Sequence, residues 1–253
     1  MRILLWAEFQ KLKRSNIVFI TMLATVLIAV IVYIGGITTL SNEQLSMDLT
    51  GWYLTTTQVW ATLFVLPAMI ALLGSYMICR EEQEDTMKSL RLIPVDETKL
   101  TFAKLIITFI FCVLIYLLLF FITLFIEVCV HVSHLSWALI GSFFKMYLLD
   151  GIGVFFAVSP FIAIAPYLKK SYWVSMVLTE IYSFAGLFMS MSQTLKTLYP
   201  ITAVFGISGY YDTTTQSWIC SLIILWICGC ISGMLVKGLH HEKIGEKHHE
   251  EIG

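Results

Sequence analysis

Charge is scarce in this chain, and long stretches have none. Only 13% of its 253 residues are charged. Residues 17–42, 49–79, 105–126, 151–168 and 213–236 carry no charge, and 171–195 is interrupted only by Glu180. With 58% hydrophobic residues and connections no longer than about 25 residues, a soluble domain of ordinary size is excluded. Also missing is a G-x-x-x-x-G-K-[ST] loop, so the chain does not cradle ATP phosphates by that route. It is expected not to be an enzyme and to carry no cofactor of its own. The six cysteines form no disulfide framework: Cys112, Cys228 and Cys230 fall in apolar runs and Cys79 at a reducing face. Only Cys129 and Cys220 lie near the opposite surface, where a bridge is conceivable. The first apolar run is too long for a cleaved signal peptide and has no small-residue cleavage pattern.

What fills the uncharged stretches is apolar length. A helix needs about 20 apolar residues to cross a hydrocarbon core of about 30 Å. Six crossings fit, at 17–38, 57–79, 103–127, 142–165, 172–192 and 217–237. The chain therefore reads as an all-α integral membrane protein in three parts: an N-terminal interfacial amphipathic helix (1–16), a six-span transmembrane domain (17–237) and a tail (238–253). Fourteen of the sixteen basic residues lie in the N-terminal segment, the second–third connection, Lys169–Lys170 and the tail, against Lys145 and Lys196 on the other side. The positive-inside rule then places both termini in the cytoplasm, and Trp52, Trp60, Trp137 and Trp218 near the outer interface with Trp173 near the inner one. Topology accounts for the basic residues, and no nucleic-acid partner is expected.

Leu5, Phe9 and Leu12 recur at helical spacing ahead of the first span, with Glu8, Lys11 and Arg14 on other faces. This stripe suits the lipid boundary; a basic flank that only sets topology is the alternative. In the second–third connection, Glu81, Glu82, Glu84 and Asp85 precede Lys88 and Arg91. That order complements a helix macrodipole, and Glu84 and Lys88 form a favourable i,i+4 pair. Met87, Leu90 and Ile93 make a short apolar face, and Pro94 stops the helix. A helix at about 80–94 with so small an apolar face needs a partner, either the membrane surface or a soluble protein beneath it, unless the segment is a solvated charge run. On the other side, 193–216 holds Leu198, Tyr199, Pro200, Ile201, Ala203, Val204, Phe205 and Ile207, very apolar for an exposed loop. Apolar backbone at membrane depth requires protein or a cavity to satisfy its hydrogen bonds.

Glu81, Thr86, Leu90, Pro94, Val95, Lys99, Leu100 and Lys104 follow the order E-x-x-x-[G]-T-x-x-x-L-x-x-x-P-V-x-x-x-K-L-x-x-x-K. This pattern resembles the permease subunits of bacterial ABC exporters of the second type. Asp85 replaces the usual glycine, and Glu97 stands where arginine is common. The opening AEFQKLKRS looks like the start of the lantibiotic-immunity and bacitracin-resistance branch, and length and span number agree with it along the whole chain. The resemblance implies a multi-pass protein of the bacterial cell membrane whose coupling helix, with Glu81, Glu82, Thr86, Met87, Leu90 and Pro94, docks into a separate cytoplasmic ABC ATPase that holds ATP and magnesium. It further implies a second permease, identical or related, an outer segment at 193–216 folded back as short re-entrant helices, and export of an antimicrobial peptide or other amphipathic compound from the membrane.

Ionisable groups inside spans cost about 2.5–3.5 kcal/mol on insertion scales, so they are usually functional or paired. Asp150 and Glu180 stand out. Counted from Lys169–Lys170, their depths differ by about 13 Å, which argues against a direct pair. Asp150 opens Asp150–Gly151–Ile152–Gly153, where small residues permit close helix approach. The two acids read as polar groups lining a pore or subunit interface, or as structural hydrogen-bonding groups. Glu127 and Lys145 are equidistant from the middle of the third–fourth connection; either they form an outer ion pair, or each reaches the headgroups separately. The tail HHEKIGEKHHEEIG reads as solvated mixed charge rather than a metal site. A proton-coupled secondary transporter using Asp150 and Glu180 is the rival function, although no internal repeat is evident. A Glu-Glu intramembrane protease is excluded, because Thr86 stands where its arginine is required and no F-x-x-x-H occurs.

Overall fold

The computed structural model describes residues 2–13, 15–40, 51–83, 97–130, 136–168 and 171–250. The described chain is helical, in the order α1 (Arg2–Lys13), α2 (Asn16–Leu40), α3 (Trp52–Phe64), α4 (Leu66–Gln83), α5 (Glu97–Val130), α6 (Trp137–Ile164), a 3-10 turn (Ala165–Tyr167), α7 (Tyr172–Met189), α8 (Leu195–Leu198), α9 (Pro200–Ser208) and α10 (Thr215–Glu250). Among the described residues, five helices are long and apolar enough to cross a membrane: α2, α5, α6, α7 and α10. Counted as one broken span, α3 and α4, bent by 45° at their junction, make a sixth. The protein is thus an all-helical, multi-pass membrane protein.

The length of these helices follows from the apolar runs, and their lateral order follows from which residues turn inward. On α2, Thr21, Thr25, Ile28, Ala29 and Val32 are buried while Phe19, Leu23, Leu27 and Ile31 point out. The buried hydroxyls are satisfied within the helix, Thr21 donating to the Ile17 carbonyl and Thr25 to that of Thr21, both at 2.8 Å. That back-bonding makes threonine tolerable inside an apolar span. Large exposed side chains such as Phe121, Phe125, Ile181, Phe188 and Trp226 cover the outside, a surface suited to lipid rather than water.

The centre is an α5–α6 pair with α10, α4 and α9 packed on α6. Tyr116, Leu119 and Phe120 of α5 meet Tyr147, Val154 and Val158 of α6 in one apolar cluster. The close approach expected at Gly151 is present: a Cβ there would stand 3.1 Å from Val113 Cα. The apolar 193–216 segment forms α8 and α9, and Ile201, Ala203, Val204 and Phe205 are fully buried. Nine residues cannot cross a bilayer, and α9 instead lies beside the middle of α6, its Val204 against Gly153.

The bend between α3 and α4 has an identifiable cause. Pro67 lacks an N–H and its ring crowds the carbonyl four residues earlier. That carbonyl, on Leu63, accepts instead from the Ser183 hydroxyl of α7 at 2.9 Å, and the same hydroxyl stands 3.3 Å from the Thr62 carbonyl. A neighbouring helix therefore satisfies the backbone that the proline strips, as a break in an apolar medium requires.

Two expectations change at element level. Arg80, Glu81 and Glu82 continue α4 rather than beginning a separate helix. At the other end α10 runs on to Glu250, past the apolar residues and through most of the tail.

Candidate functional site

The basic end of the bundle holds a charge cluster built from three helices. Glu81, near the end of α4, accepts from Lys104 of α5 at 2.7 Å and from Lys11 of α1 at 2.8 Å, one carboxylate oxygen each. Lys11 also binds Glu8, one turn earlier on α1, at 2.7 Å. The Lys104 and Glu81 side chains are only 3% and 5% exposed, whereas Lys11 is 41% exposed. Burial lowers the Lys11 pKa, but hydrogen bonds and charge from Glu8 and Glu81 outweigh it and leave the ammonium above the usual lysine value. Two acids and two bases thus fasten the start of the chain to both flanks of the α4–α5 connection.

This arrangement corrects the reading of α1. Glu8 and Leu12 are buried, Leu5 is half-buried, and Phe9 and Trp6 are exposed. The face turned to the protein is therefore Leu5–Glu8–Leu12, equally helical in spacing, and the acid belongs to it. Of the residues expected to meet an ATPase, Glu81 lies in this cluster. Glu82 lies in α4 with its side chain outside the described residues, and Thr86, Met87, Leu90 and Pro94 lie outside them altogether.

A second polar group sits in the bundle interior. The Gln58 side-chain amide of α3 donates to Asp150 Oδ2, and both residues are fully buried. Among the described residues, Asp150 Oδ1, Gln58 Oε1 and Thr57 Oγ1 make no hydrogen bond, although the Ser208 side chain of α9 lies beside the Asp150 carboxylate. The Tyr116 hydroxyl donates to Thr62 Oγ1 at 3.1 Å, and the Tyr147 hydroxyl to the Leu54 carbonyl at 2.7 Å. Along α3 this makes a ladder of polar contacts to α5 and α6 that ends at the proline break. Glu180 is half-buried on α7; among the described residues its Oε2 has no hydrogen-bond partner, and no hydrogen bond joins it to Asp150. Sequence reasoning identified Asp150 and missed Gln58 and Ser183, both uncharged; a glutamine inside an otherwise apolar span, and a serine opposite an intraspan proline, were the available signals.

Among the described residues, no ion pair joins Glu127 and Lys145. Glu127 is buried, and its carboxylate accepts from the Gly51 backbone N–H at 2.8 Å. Gly51, in the left-handed region at φ 92°, starts α3, so the acid caps the positive end of that helix. Lys145 is exposed. Its neighbours Phe143 and Tyr147 are buried, so α6 turns the lysine away from the face that meets α5. Equal height in a hairpin does not ensure facing side chains. The six cysteines are all free, and Cys129 and Cys220 are both exposed. Among the described residues no group of histidine, cysteine and acidic side chains is arranged to hold a metal.

A family model described as "ABC-2 family transporter protein" matches residues 4–186, a stretch that contains the charge cluster, the proline break and Asp150. The bacitracin transport permease protein BCRB of Bacillus licheniformis is 29% identical over 152 residues, covering 60% of this chain and 72% of that protein.

Proposed function

The chain belongs to the ABC-2 family of transporter proteins, and on that premise we propose that this membrane subunit exports an antimicrobial peptide or other amphipathic compound. The family makes it the plasma-membrane permease of an ABC transporter, whose ATPase is a separate partner subunit. In this reading the basic end faces the cytoplasm, 1–16 lies at the interface, and the 80–94 segment docks on the ATPase through Met87 and Leu90. A second permease, identical or related, completes the pathway, and the 193–216 segment contributes an apolar outer wall for the cargo through Leu195 and Leu198 of α8, which are exposed.

The observation that carries the proposal is the Glu81 cluster. It ties α1, α4 and α5 together at both roots of the connection that would receive the ATPase, so a push there reaches the broken span and α5 as one body. Bacitracin, named for the relative, is the first cargo to try. Co-expression with an ATPase encoded alongside should raise bacitracin resistance. Met87→Asp and Leu90→Asp should each abolish ATPase retention, because they force an unpaired charge into the contact. Normal insertion with full retention and full resistance in both variants would remove the coupling assignment.

A proton-coupled secondary transporter using Asp150 and Glu180 is the second reading, favoured by one oxygen on each acid that makes no hydrogen bond among the described residues. Collapsing the proton gradient while ATP is maintained separates them: export persists in the first reading and stops in the second.

A further inference from the structure

Between α5, α6 and α10 lies an apolar groove of about 250 Å³, lined by Phe102, Ile106, Phe109, Phe156, Gly229 and Gly233 among others. Two helical registers converge on it. Lys99, Phe102, Ile106 and Phe109 follow one face of α5, and Gly229, Gly233 and Lys237 follow one face of α10 at intervals of four. Both faces therefore run from an apolar slot to a lysine, and both lysines are exposed at the end of the bundle where the charge cluster sits. From Gly229 to Lys237 the rise is about 12 Å, close to the depth of one leaflet in a core of about 30 Å. A transmembrane helix of a second copy would run on past this depth. The occupant that fits is apolar over one leaflet and anionic at one end.

We propose that this groove binds one anionic glycerophospholipid, with an acyl chain between α5, α6 and α10 and the phosphate at Lys99 and Lys237. Basic pockets between spans recognise anionic headgroups in this way. The site does not depend on the transported cargo.

The test uses the full chain in nanodiscs of phosphatidylcholine with or without phosphatidylglycerol, followed by release into mild detergent and native mass spectrometry. The parent should retain one phosphatidylglycerol per chain in preference to phosphatidylcholine. Lys99→Gln and Lys237→Gln should each reduce that preference about fivefold, and Lys237→Arg should restore it. Gly233→Leu should abolish retention of either lipid, since nothing lies within 4 Å of a Cβ at 233 and the new side chain would fill the slot. The lysine variants decide the matter should Gly233→Leu not assemble. Equal retention of the two lipids, retention undiminished by Gly233→Leu, or near-complete cross-linking between copies carrying Gly233→Cys would each overturn the proposal.

Discussion

Asp150 and Gln58 form a pair in which one hydrogen bond is made and two oxygens, one on each residue, are left over. An asparagine at 150 restores the balance, because one amide can both donate to and accept from another. Asp150→Asn is therefore expected to assemble and melt close to the parent, with transport reduced if the carboxyl is used during the cycle. Asp150→Ala leaves a buried amide without any partner, which costs about 1–3 kcal/mol; it should lower the melting temperature of the purified protein measurably. An Asp150→Asn chain that fails to assemble would show that the carboxyl has a purely structural use. Glu127 gives a matching contrast. Glu127→Ala strips the Gly51 N–H of its acceptor and should destabilise by a similar amount, while exposed Lys145→Ala should change little. Exchanging the two charges should rescue nothing in a double-mutant cycle, because the groups are not coupled.

At the scale of the element, the crossings were legible because long apolar stretches with few charges decide them: five helices pass that test outright, and α3 with α4 passes it as a bent pair. The break within that pair was not legible, although Pro67 was in view: a proline states that a carbonyl is freed but not which neighbour receives it. The same limit hid the partner of Glu127, a backbone N–H 76 positions away, and the inward face of α1, where Leu5–Glu8–Leu12 and Leu5–Phe9–Leu12 are equally periodic. Tertiary contact chose the set containing the acid because Lys11, with Lys104 behind it, could satisfy Glu81. The break itself supports a prediction. Ser183→Ala should leave the Leu63 carbonyl buried without a donor and destabilise by about 1–3 kcal/mol. Pro67→Ala supplies an N–H that can bond to that carbonyl within a continuous helix, so Ser183→Ala should be much milder in that background. Additive losses in the double variant would mean that the serine is not the compensation for the proline.

At the scale of the whole molecule, the question is whether the first helix only anchors the chain or belongs to the path that carries force. Two of the four charges in the Glu81 cluster decide what can be tested. Glu81 and Lys104 are both buried, and removing one partner strands the other, a loss of about 3–5 kcal/mol. Glu81→Gln is expected to damage assembly and so reveals nothing about transmission. Lys11 differs, because it is 41% exposed, and ion pairs open to solvent are worth about 0–1 kcal/mol. Lys11→Met combined with Glu8→Leu keeps an aliphatic stem against α4 while untying α1 from Glu81. The combination strands no carboxylate, Glu8 being 3% exposed, since apolar residues of similar volume can replace a buried pair at little cost. The variant should insert, retain its ATPase and melt near the parent. If α1 moves with the α4–α5 connection, ATP hydrolysis should continue while export falls, as the spans no longer follow the connection as one body. Resistance and cargo-stimulated hydrolysis measured on the same preparation separate the cases. A loss confined to resistance places α1 in the transmission path, whereas parental values for both make it an anchor whose charges serve only to hold the chain's first turns against the bundle.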